Sequence, residues 1–405
     1  MILWGNNMKK LKLGIVGLGR RGIAVLRDVL TDIDKIEITA LCDLYADRID
    51  EAVNLINDKC GYKPLLCTNS YEELIDSDDV EAVLALVAWD EHVRVAVHSM
   101  KKKKPIGVEV GGACSLEECW ELVKTYEETR TPVMMLENTC YGRRELMLYK
   151  MVKDGLFGTV VHCDGAYGHD LRRQVSEGTQ NRHYRIANYK NRNGDNYPTH
   201  ELGPIAQILD INRGNRMVSL ISVASKSAGL HEYILKNHPD DRELLNTEFT
   251  QGDIITTVIK CAHGETITLT LDTSLPRYYT RNYCIHGTKA LYDERNDSIF
   301  FDGGETNPHG WRPNWGNAEQ YQEQYEHPIW ERYIKEGVRE AHGGKDWLVF
   351  NDFIDCVINK KPMWIDVYDM ASWMSITPLS EQSIATGRMV EIPDFTNGKW
   401  VLDRK

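Results

Sequence analysis

The sequence predicts an α/β fold with two parts: an N-terminal doubly wound parallel sheet, then an α+β domain carrying a large, mainly antiparallel sheet. Three observations predict it. At 405 residues the chain is long for a single core, so two domains are the default. Apolar runs in the first third are short and continuous and alternate with helix-period segments, as strands buried on both faces require. From Gly158 onward the strands lengthen and alternate with period two, as in Thr266-Ile267-Thr268-Leu269-Thr270-Leu271, so one face packs and the other is polar. The expected division is 8–138 and 139–405, with the last helices returning to the first domain.

The first element, Lys10 to Val16, reads as a buried strand running into Gly17-Leu18-Gly19-Arg20-Arg21-Gly22. A helix follows, with Ile23, Leu26, Val29 and Leu30 on one face. Between a strand and a helix, G-x-G-x-x-G has a mechanical meaning. The first glycine permits the turn, the second lets backbone approach a pyrophosphate, and the third packs helix on strand. The helix N-terminus adds unpaired N–H groups and positive dipole, and Arg20 and Arg21 stand beside it. A second strand, Ile36 to Cys42, ends in Asp43, about 20 residues after the last glycine, where a ribose-binding acid is expected. An acid there favours NAD over NADP, since it repels a 2′-phosphate; the alternative is an Asp capping the next helix. This is a Rossmann dinucleotide-binding pattern.

The pattern continues through a capping box at Ser70-Tyr71-Glu72-Glu73 and strands at Val80 to Val87, Ile106 to Val110 and Val133 to Leu136. Ligands sit on loops after strand C-termini in such sheets. Trp89, His92, Glu109, Val110 and Asn138 are therefore cofactor-cleft candidates by position.

In the second domain, strands are expected at Val160 to Tyr167, Ser219 to Ser225, Asp253 to Cys261, Asn282 to His286 and Ile299 to Asp302. Gly303 to Gly344 reads as a long loop or lid with one helix near Trp330 to Glu340, and Trp347 to Asn359 and Met370 to Thr386 read as helices. The sheet's polar face offers a surface for a homo-oligomer.

A net charge of −12 argues against nucleic acid or an anionic membrane as partner. Nineteen Tyr and ten Trp tilt the reading toward a ligand with stackable sugar rings. Ten Cys are scattered without zinc spacing, so reduced thiols in a cytoplasmic compartment are expected. No apolar run reaches membrane length and the first residues are too short for a signal peptide, although a removed export signal stays open. His162, Asp164, His169 and Asp170 raise the question of a metal. Alternation puts His162 and Asp164 on one face with no third partner in view, so no metal is expected.

Several segments then occur in a telling order: Glu137-Asn138-Thr139-Cys140-Tyr141-Gly142-Arg143, Gly165 to Arg172, Tyr197-Pro198-Thr199-His200, Asp210 to Gly214, and Tyr278-Tyr279. In these the chain resembles the glucose-fructose oxidoreductase and inositol dehydrogenase superfamily, and within it the NAD-dependent α-N-acetylgalactosaminidase family of glycoside hydrolases. The sequence departs from the parent dehydrogenases. Where they carry Glu-Lys-Pro it has Glu109-Val110-Gly111, and where they carry Asp four residues before a catalytic His it has Asn196 before His200. Losing that cation and that carboxylate removes the usual proton relay and makes a simple alcohol dehydrogenase the less economical reading.

The resemblance implies hydrolysis of N-acetylgalactosaminides through transient oxidation at sugar carbon 3, elimination, water addition and re-reduction. It surrounds the sugar with Tyr167, Arg185, Tyr197, His200 and Tyr279, and adds Glu137 as a sugar or nicotinamide contact unless it pairs with Arg143 or Arg144. His200 is the expected acid/base; Tyr197 and Tyr279 are candidates for the carbon 2 base or for positioning. His200 is expected just ahead of a helix opening at Gly203-Pro204. Two rival classes stand beside this one: a net sugar or cyclitol dehydrogenase, and a non-catalytic dinucleotide-bound protein.

Overall fold

The computed structural model describes residues 9–304, 312–339 and 342–401. The chain forms two compact units. One comprises the chain up to Glu109 with Trp120–Asn138 and Val338–Met370; the other comprises Val110–Cys119, Thr139–Gly337 and the chain from Ala371 onward.

The first unit is built on a parallel sheet of β1 (Leu11–Val16), β2 (Ile36–Cys42), β3 (Leu66–Thr68), β4 (Ala82–Ala85), β5 (Ile106–Val108) and β6 (Val133–Met135), in the order β3-β2-β1-β4-β5-β6. Leu13, Ile15, Val83 and Leu84 are fully buried, and each contributes about 1.5 to 3 kcal/mol through burial. Chain order reverses between β1 and β4, so the crevice beyond the C-terminal end of β1 is the place for a ligand. β3 escapes the sequence reading because three residues, two of them not buried, show no period.

The second unit carries β7 (Val160–Gly168), β8 (Met217–Ala224), β9 (Ile254–Cys261), β10 (Thr266–Asp272), β11 (Cys284–Gly287), β12 (Ala290–Asp293), β13 (Ser298–Phe301) and β14 (Val390–Glu391). Their order is β13-β12-β11-β7-β10-β9-β8-β14, antiparallel except where β7 meets β10. Alternation works as expected in β10, where Ile267, Leu269 and Leu271 are buried and the threonines between them are not.

The helix Thr199–Ile208 packs on one face of β7: an added Cβ at Gly165 would lie 2.8 Å from Glu201 Cβ. His162 and Asp164, even-numbered on the same strand, project from the other face.

Two segments differ from expectation. The helix foreseen over Met370 to Thr386 is two helices, Val367–Met374 and Ile376–Thr386. The helix foreseen near Trp330 runs from Pro328 to Glu336, with the His327 side chain accepting the Ile329 N–H at its start. The long loop foreseen from Gly303 lies partly outside the described residues. No helix among the described residues is long and apolar enough to cross a membrane.

Candidate active site

In the first unit the backbone leaves β1 through Gly17, at φ +96°, where an added Cβ would stand 2.4 Å from the Leu86 carbonyl oxygen. Gly22 packs on Gly17, whose carbonyl oxygen would lie 2.1 Å from a Cβ. Neither position admits a side chain. Gly19 caps the helix Arg20–Asp28, and a Cβ there would meet nothing nearer than Arg48 Nη1 at 3.6 Å, so this side is open. No side chain caps the helix and its first turn holds no acid, which leaves N–H groups and positive dipole for an anion. The cradle fits a dinucleotide pyrophosphate.

Asp43 follows β2. Its Oδ2 accepts the Leu18 N–H at 2.7 Å and its Oδ1 the Tyr45 N–H at 3.0 Å, while Arg48 Nη1 lies 3.7 Å away. The carboxylate thus fixes the glycine loop and retains lone pairs that suit ribose hydroxyls.

Arg20 is exposed. Arg21 turns inward: its Nε donates to Glu109 at 2.7 Å and its Nη1 to Asp346 at 2.6 Å. Asn138 Nδ2 donates to the same Asp346 at 2.6 Å. Burial works against charge on Asp346, but hydrogen bonds from His342 and Arg21 outweigh it and hold this carboxyl well below the ordinary range. Asp346 is a residue that sequence reasoning missed, because nothing near it in sequence marks it. Trp89 is buried, and His92 is fully buried with Nε2 3.2 Å from the Val87 carbonyl; burial pushes its pKa down to about 4. Glu137 is fully buried, and the Arg143 and Arg144 side chains pair with Glu326 and with Asp297 and Glu319. Val110 is buried at the start of a segment belonging to the second unit.

In the second unit His200 lies in the first turn of the helix Thr199–Ile208, which starts four residues earlier than the Gly203-Pro204 signal implies. Pro204 is inside the helix and has no N–H to give to the His200 carbonyl one turn back. The Thr139 hydroxyl donates to that carbonyl instead, at 2.8 Å. Pro204 therefore ties the acid/base candidate to the segment that follows β6.

Around His200 the structure gathers four aromatic side chains. Its ring centroid is 4.9 Å from that of Tyr197 and 5.5 Å from that of Tyr167, and Tyr197 Oη lies 3.5 Å from His200 Nε2. Tyr167 leans on Tyr197 at 4.5 Å and meets Tyr279 edge-on at 6.4 Å. Arg185, buried, holds its guanidinium carbon 5.1 Å from the Tyr197 ring centre, a cation–π contact. Tyr279 is half exposed, so the cluster has a solvent-facing edge.

His169 completes the cluster and is the residue that sequence reasoning left out of the site. Its Nδ1 is 3.1 Å from Tyr167 Oη and its ring 5.3 Å from Tyr279. Burial and then the Arg185 cation push its pKa down, with Asp170 opposing. The signal was available: Gly168-His169-Asp170 directly follows the strand that carries Tyr167.

Asn196, at the position where the dehydrogenases have Asp, is buried and donates its amide to Gln251. The carboxyl beside it, Asp195, is fully buried and its pKa is pushed up to about 7 by that burial. A half-buried imidazole beside phenols and a buried cation suits a polyhydroxylated ring and proton transfer at its oxygens.

Comparison with known proteins finds relatives for both parts of the sequence. The profile described as "Oxidoreductase family, NAD-binding Rossmann fold" matches residues 11–137, and that described as "Glycosyl hydrolase 109, C-terminal domain" matches residues 141–402. The chain belongs to glycosyl hydrolase family 109. A family 109 protein of Stenotrophomonas maltophilia is 36% identical over 97% of this chain and 90% of that protein. The α-N-acetylgalactosaminidase of Tannerella forsythia is 35% identical over 98% and 88%, and that of Shewanella oneidensis 36% identical over 97% and 86%.

Among solved structures, levoglucosan dehydrogenase in complex with NADH and levoglucosan superposes with a TM-score of 0.69 at 16% identity, covering 95% of this chain and all of that one. Lactobacillus casei scyllo-inositol dehydrogenase with NAD(H) and scyllo-inositol gives 0.66 at 12%, covering 95% and 99%. At such identities these structures establish the fold. The family 109 chain is thus a glycosidase built on an NAD-binding Rossmann domain, with the α/β architecture of the sugar and cyclitol dehydrogenases.

His162 and Asp164 do share a face, but β11 sets Cys284 and His286 beside them. The register of β11 is invisible in a linear reading.

Proposed function

We propose that this family 109 chain is an α-N-acetylgalactosaminidase that cleaves its substrate through a temporary oxidation at sugar carbon 3. In this reading residues 8–138 bind NAD and residues 139–405 bind the sugar. The observation that carries it is the convergence of Tyr167, His169, Tyr197, His200 and Tyr279 with Arg185 on one solvent-facing cluster. None of these six side chains is a carboxylate, which favours a route other than direct displacement between two acids. The relatives named α-N-acetylgalactosaminidase support the substrate class.

Bound NAD, held by the Gly17–Gly22 cradle and Asp43, supplies reversible hydride acceptance at carbon 3. Everything else falls to side chains of the chain. His200, in the first turn of the helix Thr199–Ile208, takes the proton of the carbon 3 hydroxyl and returns it at the end. Tyr197, at 3.5 Å, orients that imidazole. A ketone at carbon 3 would acidify the hydrogen on carbon 2, and Tyr279, its phenol proton first passed to the neighbouring His169 imidazole, is assigned its removal as the phenolate. The glycosidic oxygen then leaves carbon 1 with the proton held by His169, and water adds its oxygen at carbon 1 and, through Tyr279, a proton at carbon 2. Arg185 and Tyr167 hold the ring. The sum is hydrolysis, with the cofactor ending as it began.

The test is to incubate the purified protein with chromogenic α- and β-N-acetylgalactosaminides and follow aglycone release together with absorbance in the NADH band. Release from the α-glycoside without lasting NADH supports the proposal. NADH build-up with an unreleased aglycone supports a net dehydrogenase instead, and silence in both channels removes the catalytic reading.

A further inference from the structure

We propose a metal site on the solvent-facing side of the eight-stranded sheet: a divalent zinc-type ion bound by Asp164, Cys284 and His286. The three side chains come from adjacent antiparallel strands. Asp164 on β7 stands opposite Cys284 on β11, and His162 stands opposite His286. Cross-strand partners project from the same face, so four potential ligand residues form a square on the sheet surface. This face is opposite the one on which Gly165 meets the helix carrying His200, so the site is separate from the aromatic cluster.

The distances suit a shared ion. One oxygen, one sulfur and one nitrogen from Asp164, Cys284 and His286 all lie within 4.8 Å of one another. His286 Nε2 is 3.2 Å from Asp164 Oδ2 and 3.3 Å from Cys284 Sγ. Ligand atoms around a tetrahedral zinc at its usual bond lengths are about 3.3 to 3.7 Å apart.

Two contacts of this group compete for one ring nitrogen. A single ring nitrogen either donates or accepts, yet His286 Nε2 faces an anionic acceptor and a thiol at once. If Nε2 carries the proton, it donates to Asp164 and cannot also accept from the Cys284 thiol; if it does not, it can accept from the thiol but two acceptors then face each other across 3.2 Å. A cation between them resolves the conflict, with the Cys284 thiol proton passing to solvent as the sulfur–metal bond forms.

The surroundings fit the same reading. His162 Nε2 touches the other oxygen of Asp164 at 3.0 Å, and its Nδ1 is 2.7 Å from Thr266 Oγ1. It orients the carboxylate as an outer partner does. Asp293, opposite Cys284 on β12, is engaged by Arg295 at 3.0 and 2.7 Å and leaves the ligand set at three. Cys284 is buried while Asp164 and His286 are partly exposed, so the fourth position opens to water.

The full chain, stripped with a chelator and given zinc chloride, is expected to retain one zinc per chain through gel filtration. Cobalt(II) in place of zinc is expected to show tetrahedral bands and a sulfur-to-cobalt absorption. Cys284→Ser and His286→Ala should each weaken zinc retention at least about 10-fold, and His162→Ala should do so less. Zinc uptake no greater than a buffer control, or unchanged in the Cys284→Ser/His286→Ala double variant, overturns the proposal. So does a cobalt spectrum without the sulfur band, and that measurement on the unaltered chain decides even if the variants fold poorly. Neither readout involves glycoside cleavage, so the outcome is independent of the proposed activity.

Discussion

The hydroxyl of Tyr167 lies 3.1 Å from Nδ1 of His169. This contact joins the end of β7 to an imidazole whose pKa is pushed below 6.5, first by burial and then by Arg185. His169 is therefore neutral above a pKa that is itself depressed, and protonates only as pH falls below its ordinary range. Replacing Arg185 by Gln removes one cause of the depression, so the pKa rises toward 6.5. The acidic limb of the pH–rate profile is expected to move to higher pH in Arg185→Gln and to move less in Arg185→Lys. A limb that stays in place in both variants separates His169 from turnover.

His200 and Tyr197 are expected to divide in a kinetic comparison. His200→Ala should lower kcat by about 100-fold or more, because it removes the imidazole assigned to the carbon 3 hydroxyl proton. Tyr197→Phe keeps the ring that stacks against Tyr167 and Arg185 and removes only the oxygen 3.5 Å from His200. Its kcat should fall by less, with KM nearly unchanged. Equal losses in the two variants would make the phenol itself the acid/base.

The glycine cradle yields a stability comparison. Gly17 and Gly61 both have positive φ, +96° and +76°, but a Cβ at Gly61 meets nothing within 4 Å while one at Gly17 meets the Leu86 carbonyl at 2.4 Å. Gly61→Ala is expected to cost about 1 kcal/mol of backbone strain. Gly17→Ala should lower the melting temperature further and abolish NAD retention through gel filtration. If the two variants melt alike and both keep NAD, the loop does not work by close packing.

What could be read from the sequence follows from what was local. The Gly17–Gly22 turn, the hydrogen bond from Leu18 N–H to Asp43 and the alternation in β10 are set by residues near one another in the chain, so their backbone geometry is legible there. Gly203-Pro204 has the pattern of a helix start, yet the helix begins four residues earlier, because Thr139 supplies the donor that lets Pro204 sit inside it. Asp346 and the Asp164–Cys284–His286 group depend on partners more than 100 residues away, so no local pattern reveals them. His169 directly follows the strand that carries Tyr167, but its pairing with Tyr167 Oη depends on how the chain turns after that strand, which the letters do not show.

The proposed route requires the hydrogen on carbon 2 to be removed and replaced within each turnover, whereas direct displacement at carbon 1 never touches it. Hydrolysis of an α-N-acetylgalactosaminide in deuterium oxide, followed by proton NMR of the released sugar, measures this directly. Deuterium at carbon 2 is the predicted result, and full retention of protium there would contradict the account.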